Sequence, residues 1–194
     1  MKLSDAQPIS ALDTNDDPPT VASGPTLKDY AVVVAALSVF SIGLFIVCSQ
    51  NAGIDVEAEI LLVPLLTLVG LIGLVWIIML VFRNYAILRK ITSGVYYQSY
   101  TEDHPPDWVE RPARTFNNLM QLPQLLFLAC ILMMITGYVD RAQWMLVWIF
   151  VATRYVHAAV YMIWNHVLTR FGCFCAGAIT LFVIYIRMAG QLWS

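Results

Sequence analysis

Charge is what this sequence has least of. Only 12% of its 194 residues are charged, against 59% hydrophobic. A soluble domain of this size carries about a quarter charged residues. The shortage excludes a disordered chain and an ordinary soluble enzyme. With 11 Lys+Arg against 13 Asp+Glu, there is no basic surplus to hold nucleic acid, and no such partner is expected. Cysteine is scarce too: Cys48, Cys130, Cys173 and Cys175 all lie in or beside apolar runs. Cys173 and Cys175 form a C-x-C pair with no second pair or histidine cluster at zinc spacing. We read all four as small apolar residues and expect no metal. Inverted repeats and paired broken helices are missing as well, which argues against a transporter.

What is present is apolar sequence in long runs. Five segments, near 30–49, 60–82, 119–137, 143–163 and 173–191, each supply about the 20 residues a spanning helix needs. Pro64 lies in the second, where a membrane helix tolerates it. The expected organisation is a polar acidic tail over 1–27, a separate span over 28–50 and a four-span unit over 59–191. The tail, with Asp5, Asp13, Asp16, Asp17 and several prolines, shows no apolar periodicity and is expected to be flexible. It is too acidic, and its apolar run starts too late, for a signal peptide. The stretch 92–113 holds Tyr96, Tyr97, Tyr100, Glu102, Asp103, His104, Pro105, Pro106, Asp107 and Trp108. Its prolines predict a connector without a long helix, and His104 with Asp103 and Asp107 is too loose a cluster for a metal.

The few basic residues orient the spans. Arg83, Arg89, Lys90, Arg111 and Arg114 crowd one loop and Arg170 marks another, while loop 50–59 has Asp55, Glu57 and Glu59 with no Lys or Arg. The basic loops are expected in the cytoplasm and the acidic loop outside, with the N-terminus inside. Trp144, Trp164 and Trp193 fall near predicted span ends, where aromatic belts form.

One basic residue does not fit an interface. Arg154 lies well inside the fourth segment, where an arginine costs at least ~2.5–3.5 kcal/mol and usually faces the bundle interior. His157, Tyr161 and Asn165 follow at i+3, i+7 and i+11, all within an arc of about 80° on a helix. This polar stripe runs toward the cytoplasmic end, where it meets Arg170. A second stripe opens the third segment: Arg114, Asn117 or Asn118, and Gln121, followed by Pro123. Two polar faces converging at one membrane level predict a pocket between helices. Arg114, Arg154 and Arg170 are fixed cations with no Asp or Glu in the stripes, so the pocket should take an anion with carboxylates or a phosphate. Asn118 and Gln121 could orient amides. Tyr161 could donate to a thiolate, and a thiol beside an arginine ionises more easily.

The segments Arg114-Thr-Phe-Asn-Asn118-Leu-Met-Gln121-Leu-Pro123 and Arg154-Tyr-Val-His157-Ala-Ala-Val-Tyr161, continuing to Arg170, resemble two motifs of the MAPEG family. These are the membrane-associated proteins in eicosanoid and glutathione metabolism, and the run from Asn165 to Phe171 is similar to bacterial members. The resemblance covers roughly 60–190. It implies an all-α, polytopic four-helix bundle that assembles as a homotrimer, here with one extra N-terminal transmembrane helix. It implies glutathione as co-substrate, held by Arg114, Asn118, Gln121, Arg154 and His157. Arg170 and Tyr161 would be the catalytic pair, with Arg170 stabilising the thiolate. The second substrate would be a lipophilic small molecule entering from the bilayer, and the activity a glutathione-dependent transferase or peroxidase. The implied location is a bacterial inner membrane with the site facing the cytoplasm. Gln121 departs from the glutamate usual in the family and keeps open a non-catalytic lipid- or partner-binding protein on the same scaffold.

Overall fold

The computed structural model describes residues 24–99 and 104–193. The first 23 residues of the tail and Tyr100, Glu102 and Asp103 lie outside the described residues, as does the side chain of Trp193. The described chain is all-helical, with no strand: α1 (Leu27–Asn51), α2 (Leu62–Leu88), α3 (Tyr96–Ser99), α4 (Asp107–Leu119), α5 (Leu122–Thr136), α6 (Arg141–Ile163) and α7 (Val167–Trp193). Five apolar spans result, because α4 and α5 together make one, over Asp107–Thr136. The protein is an integral membrane protein on this count, its exposed Leu, Ile, Val and Phe side chains facing the bilayer.

Local chemistry sets the ends of these helices. Thr26 precedes α1 and donates its backbone N–H to Asp29 Oδ2 at 2.8 Å, half of a capping box. Asp140 caps α6, accepting from Gln143 N at 2.8 Å. Gly137 closes α5 in the left-handed region, with φ of 72°. Asn165 does the same beyond α6 at φ of 49°, and its N–H returns to Val160 O at 2.8 Å.

The stretch 92–113 departs from expectation: α4 starts inside it, at Asp107. Pro106 occupies the N-cap and Pro112 lies within the helix, buried against its neighbours. A proline at a helix start removes an N–H that has no partner anyway. Pro112 forfeits one further bond, which burial of Val109, Ala113 and Thr115 in the same helix offsets. The third span is therefore longer than the predicted 119–137. It breaks at Met120 and Gln121, the latter with φ −95° and ψ −80°, just before Pro123.

Helix α6 is the innermost element. Leu146, Val147, Phe150 and Val151 are buried along it, packing with Leu65, Leu68 and Val75 of α2 and Ile184 of α7. Helix α1 buries only Leu44 and lies against α7 and α6. It is tied down at one end: Gly53 N donates to Asp140 Oδ2 at 3.1 Å and Arg141 N to Ile54 O at 2.8 Å. Asp140 is buried and also takes the guanidinium of Arg187 at 2.5 Å. One carboxylate thus joins the α1–α2 loop, the start of α6 and the far part of α7.

Candidate functional site

The opposite end of the bundle, where α4, α6 and α7 meet, carries the polar residues. A cleft of about 420 Å³ opens there, lined by Asn118, Gln121, His157, Tyr161, Val167, Arg170, Phe171 and Phe174. Five of the seven residues singled out from the sequence line it: Asn118, Gln121, His157, Tyr161 and Arg170. Arg114 and Arg154 do not.

Arg170 is the cation of the cleft. It sits one turn into α7, with its guanidinium carbon 4.3 Å from the centre of the Tyr161 ring. Its Nη1 donates to Asn165 Oδ1 at 3.0 Å. The left-handed Asn165 therefore turns the chain from α6 into α7 and holds the arginine at the same time. Among the described residues no carboxylate pairs with Arg170, so its charge is left for a ligand. Tyr161 is buried and its ring meets that of His157 edge-on, with centroids 6.1 Å apart.

His157 reaches across to α7. Its Nδ1 lies 3.2 Å from Arg170 O, so Nδ1 carries a proton and Nε2 is the acceptor of that tautomer. Nε2 is buried without a partner in the protein and belongs to a side chain that lines the cleft. An acceptor-only nitrogen there suits a donor such as an amide or an ammonium group.

Arg154 has a different setting. It is fully buried between α6 and α7. Nη2 donates to Cys173 O at 3.0 Å and Phe174 O at 3.3 Å. Its guanidinium carbon lies 5.2 Å from the Phe150 ring and 5.6 Å from that of Phe174, within cation–π range. Gly177 makes room for it: a Cβ at that position would fall 2.0 Å from Nη2. Arg154 and His157 together grip the first turns of α7, the ones that carry Arg170. Phe174 separates the two arginines, edging the cleft on one side and lying against Arg154 on the other.

Arg114 is half-exposed on α4 and faces Asp107, at 3.4 Å from Nη1 to Oδ1. Asp107 also takes Arg111. The expectation of an unneutralised Arg114 therefore fails, because α4 begins early enough to place Asp107 two turns before it. Asn118 spends one amide proton on Arg114 O at 3.0 Å and keeps its carbonyl for the cleft. Gln121 is exposed at the break between α4 and α5.

Val167, Phe171 and Phe174 also line the cleft and carry no polar signal of their own. Helical spacing puts them beside Arg170 on α7, a signal the sequence carried once Arg170 was chosen. Gly177 and Asp107 gave none. The four cysteines are free, and no group of metal-ligating side chains occurs among the described residues.

The cleft is polar at its rim and aromatic along one wall, with one unpaired cation, two amides and an unpartnered imidazole nitrogen. That set can hold a small anion carrying amide groups. A family model described as the MAPEG family matches residues 62–190, which takes in α2 to α7 and every cleft residue and leaves α1 outside. Comparison with curated proteins and with solved structures finds no match.

Proposed function

Because the chain belongs to the MAPEG family, we propose that it is a glutathione-dependent membrane enzyme, a transferase or peroxidase acting on lipophilic electrophiles. The observation that carries this reading is Arg170, stacked on Tyr161 in an open cleft with no carboxylate to neutralise it. A thiol placed there loses its proton to solvent, and the guanidinium and the Tyr161 hydroxyl stabilise the thiolate left behind. In the transferase case, the sulfur's electron pair forms the new C–S bond and the electrophile's leaving group departs with its own pair. In the peroxidase case, the sulfur attacks one oxygen of the O–O bond, the other oxygen leaves with the bonding pair and is protonated to the alcohol, and the sulfenic acid then condenses with a second glutathione to give the disulfide and water.

The remaining cleft residues recognise the tripeptide. Asn118 and Gln121 meet its amides, and His157 Nε2 accepts from a donor. Arg154 acts as a positioning residue, setting α7 and through it Arg170, in place of touching glutathione. Arg114 is exposed beside the cleft, and a homotrimer would bring it to a site between subunits. The lipophilic partner enters from the bilayer. The crowding of Lys and Arg at the cleft end supports a cytoplasmic site, in what we take to be a bacterial inner membrane.

Gln121 favours a second reading. Glutamate there would pair with the glutathione ammonium, and a neutral amide cannot. The same cleft could then serve a non-catalytic protein that binds lipid or a protein partner. A thermal-shift titration of the purified protein with glutathione separates the two: a saturable shift with ultraviolet thiolate absorbance supports the enzyme, and no shift removes it.

A further inference from the structure

A second groove lies on the other side of α7, against the helix that the family match leaves out. It has a volume of about 470 Å³ and runs between α1 and α7 from Asp29 and His166 down to Phe40 and Ala176. Eleven residues of α1 rise about 16 Å, and an extended chain advances about 1.2 Å per bond. The groove therefore accepts a single tail of about a dozen carbons. Its floor is apolar: Val33, Leu37, Phe40 and Ala176 among others. Gly172 lets α1 come close, since a Cβ there would touch Val33 at 3.5 Å. Val32 and Ala36 are exposed on its outer lip, so it opens sideways into the bilayer.

The mouth is polar and of mixed character. Asp29 is exposed, and its Oδ2 accepts from Thr26 N and Oγ1, which fixes the carboxylate at the groove's end. Among the described residues, no Lys or Arg lines the groove. His166 accepts at Nδ1 from Thr169 N at 3.4 Å and lies 2.9 Å from Thr169 Oγ1, so the proton of the neutral ring is on Nε2. The mouth thus offers one carboxylate and one imidazole N–H donor at the level of the lipid headgroups.

We propose that this groove binds one acyl tail of a bilayer phospholipid with an ammonium head, the ammonium meeting Asp29 and the phosphate accepting from His166. The second tail stays in the bilayer. Charge complementarity at Asp29 selects the headgroup, and the apolar floor supplies the affinity. Occupancy braces α1 against the turns of α7 whose opposite face carries Arg170. The site is independent of the glutathione reading, since none of its residues lines the cleft.

The test reconstitutes the full chain in bilayers of equal phosphatidylethanolamine and phosphatidylglycerol. It is then extracted in mild detergent, and the lipid retained per chain is weighed by native mass spectrometry. Wild type is expected to keep one phosphatidylethanolamine, favoured about threefold to fivefold over phosphatidylglycerol, the effect of one exposed charge contact. Ala36→Trp and Val32→Trp, both on the exposed lip, should each lose the lipid while keeping wild-type helicity. Asp29→Asn should retain lipid but lose the headgroup preference. Equal retention of both lipids by wild type would overturn the headgroup assignment. Unchanged retention in both tryptophan variants would overturn the groove itself. A changed oligomeric mass in those variants, with lipid unchanged, would show that a second copy of the chain covers it.

Discussion

Gly177→Ala isolates the contact that positions α7. The new methyl would sit 2.0 Å from Arg154 Nη2, 2.7 Å from Cζ and 2.9 Å from Nε, all closer than carbon and nitrogen can approach. The guanidinium is the far end of a flexible side chain, so it will swing away before the backbone moves. The cost is then what it leaves behind. Its donation to the carbonyls of Cys173 and Phe174 is worth about 1.5–3 kcal/mol as a charged hydrogen bond. The two ring contacts add about 0.5–2 kcal/mol. Partial recovery elsewhere brings the expected loss to about 2–4 kcal/mol. The assay is a double-mutant cycle on reversible unfolding in mixed micelles, with Arg154→Leu as the second change, since leucine ends short of the overlapped atoms. Gly177→Ala should be costly in wild type and nearly neutral when Arg154→Leu is already present. An equal cost in both backgrounds would refute the steric link between the two positions.

Other outcomes follow from the same geometry. Asp140→Ala removes the acceptor of Gly53, Gln143 and Arg187 and leaves a cation without its partner. It should destabilise by about 3–5 kcal/mol and release α1, read as faster protease cleavage in the 51–57 loop. Asp107→Asn cuts two exposed ion pairs and should cost less than about 1 kcal/mol by the same unfolding assay. Asn165→Ala loses the Arg170 contact and places a Cβ residue without a side-chain compensation at φ of 49°. It should lower the melting temperature and weaken thiolate formation, whereas Asn165→Gly should restore stability and leave the thiolate weak.

The spans were legible because each is a run of about 20 apolar residues, and composition alone decides that. Helix α4 was not, since Pro105, Pro106 and Pro112 signal a break and only the fold reveals that Pro106 starts a helix. The stripe of Arg154, His157 and Tyr161 correctly names one face of α6. Periodicity says which residues share a face, but not what lies opposite. His157 and Tyr161 meet a cleft, while Arg154, one turn deeper, meets Gly177, whose missing side chain leaves no mark in a sequence. The Asp140–Arg187 pair joins positions 47 apart across two helices. Its one local sign is an aspartate three residues before Gln143, a capping pattern.

The proposed enzyme depends on Arg170 holding a glutathione thiolate. Its most direct test is the ultraviolet thiolate absorbance of purified protein titrated with glutathione, compared between wild type and Arg170→Ala. Wild type should show a saturable signal at neutral pH, and Arg170→Ala should lose that signal while its thermal shift with glutathione persists. A thiolate signal of equal size in both proteins, or no response to glutathione in either, would contradict the account.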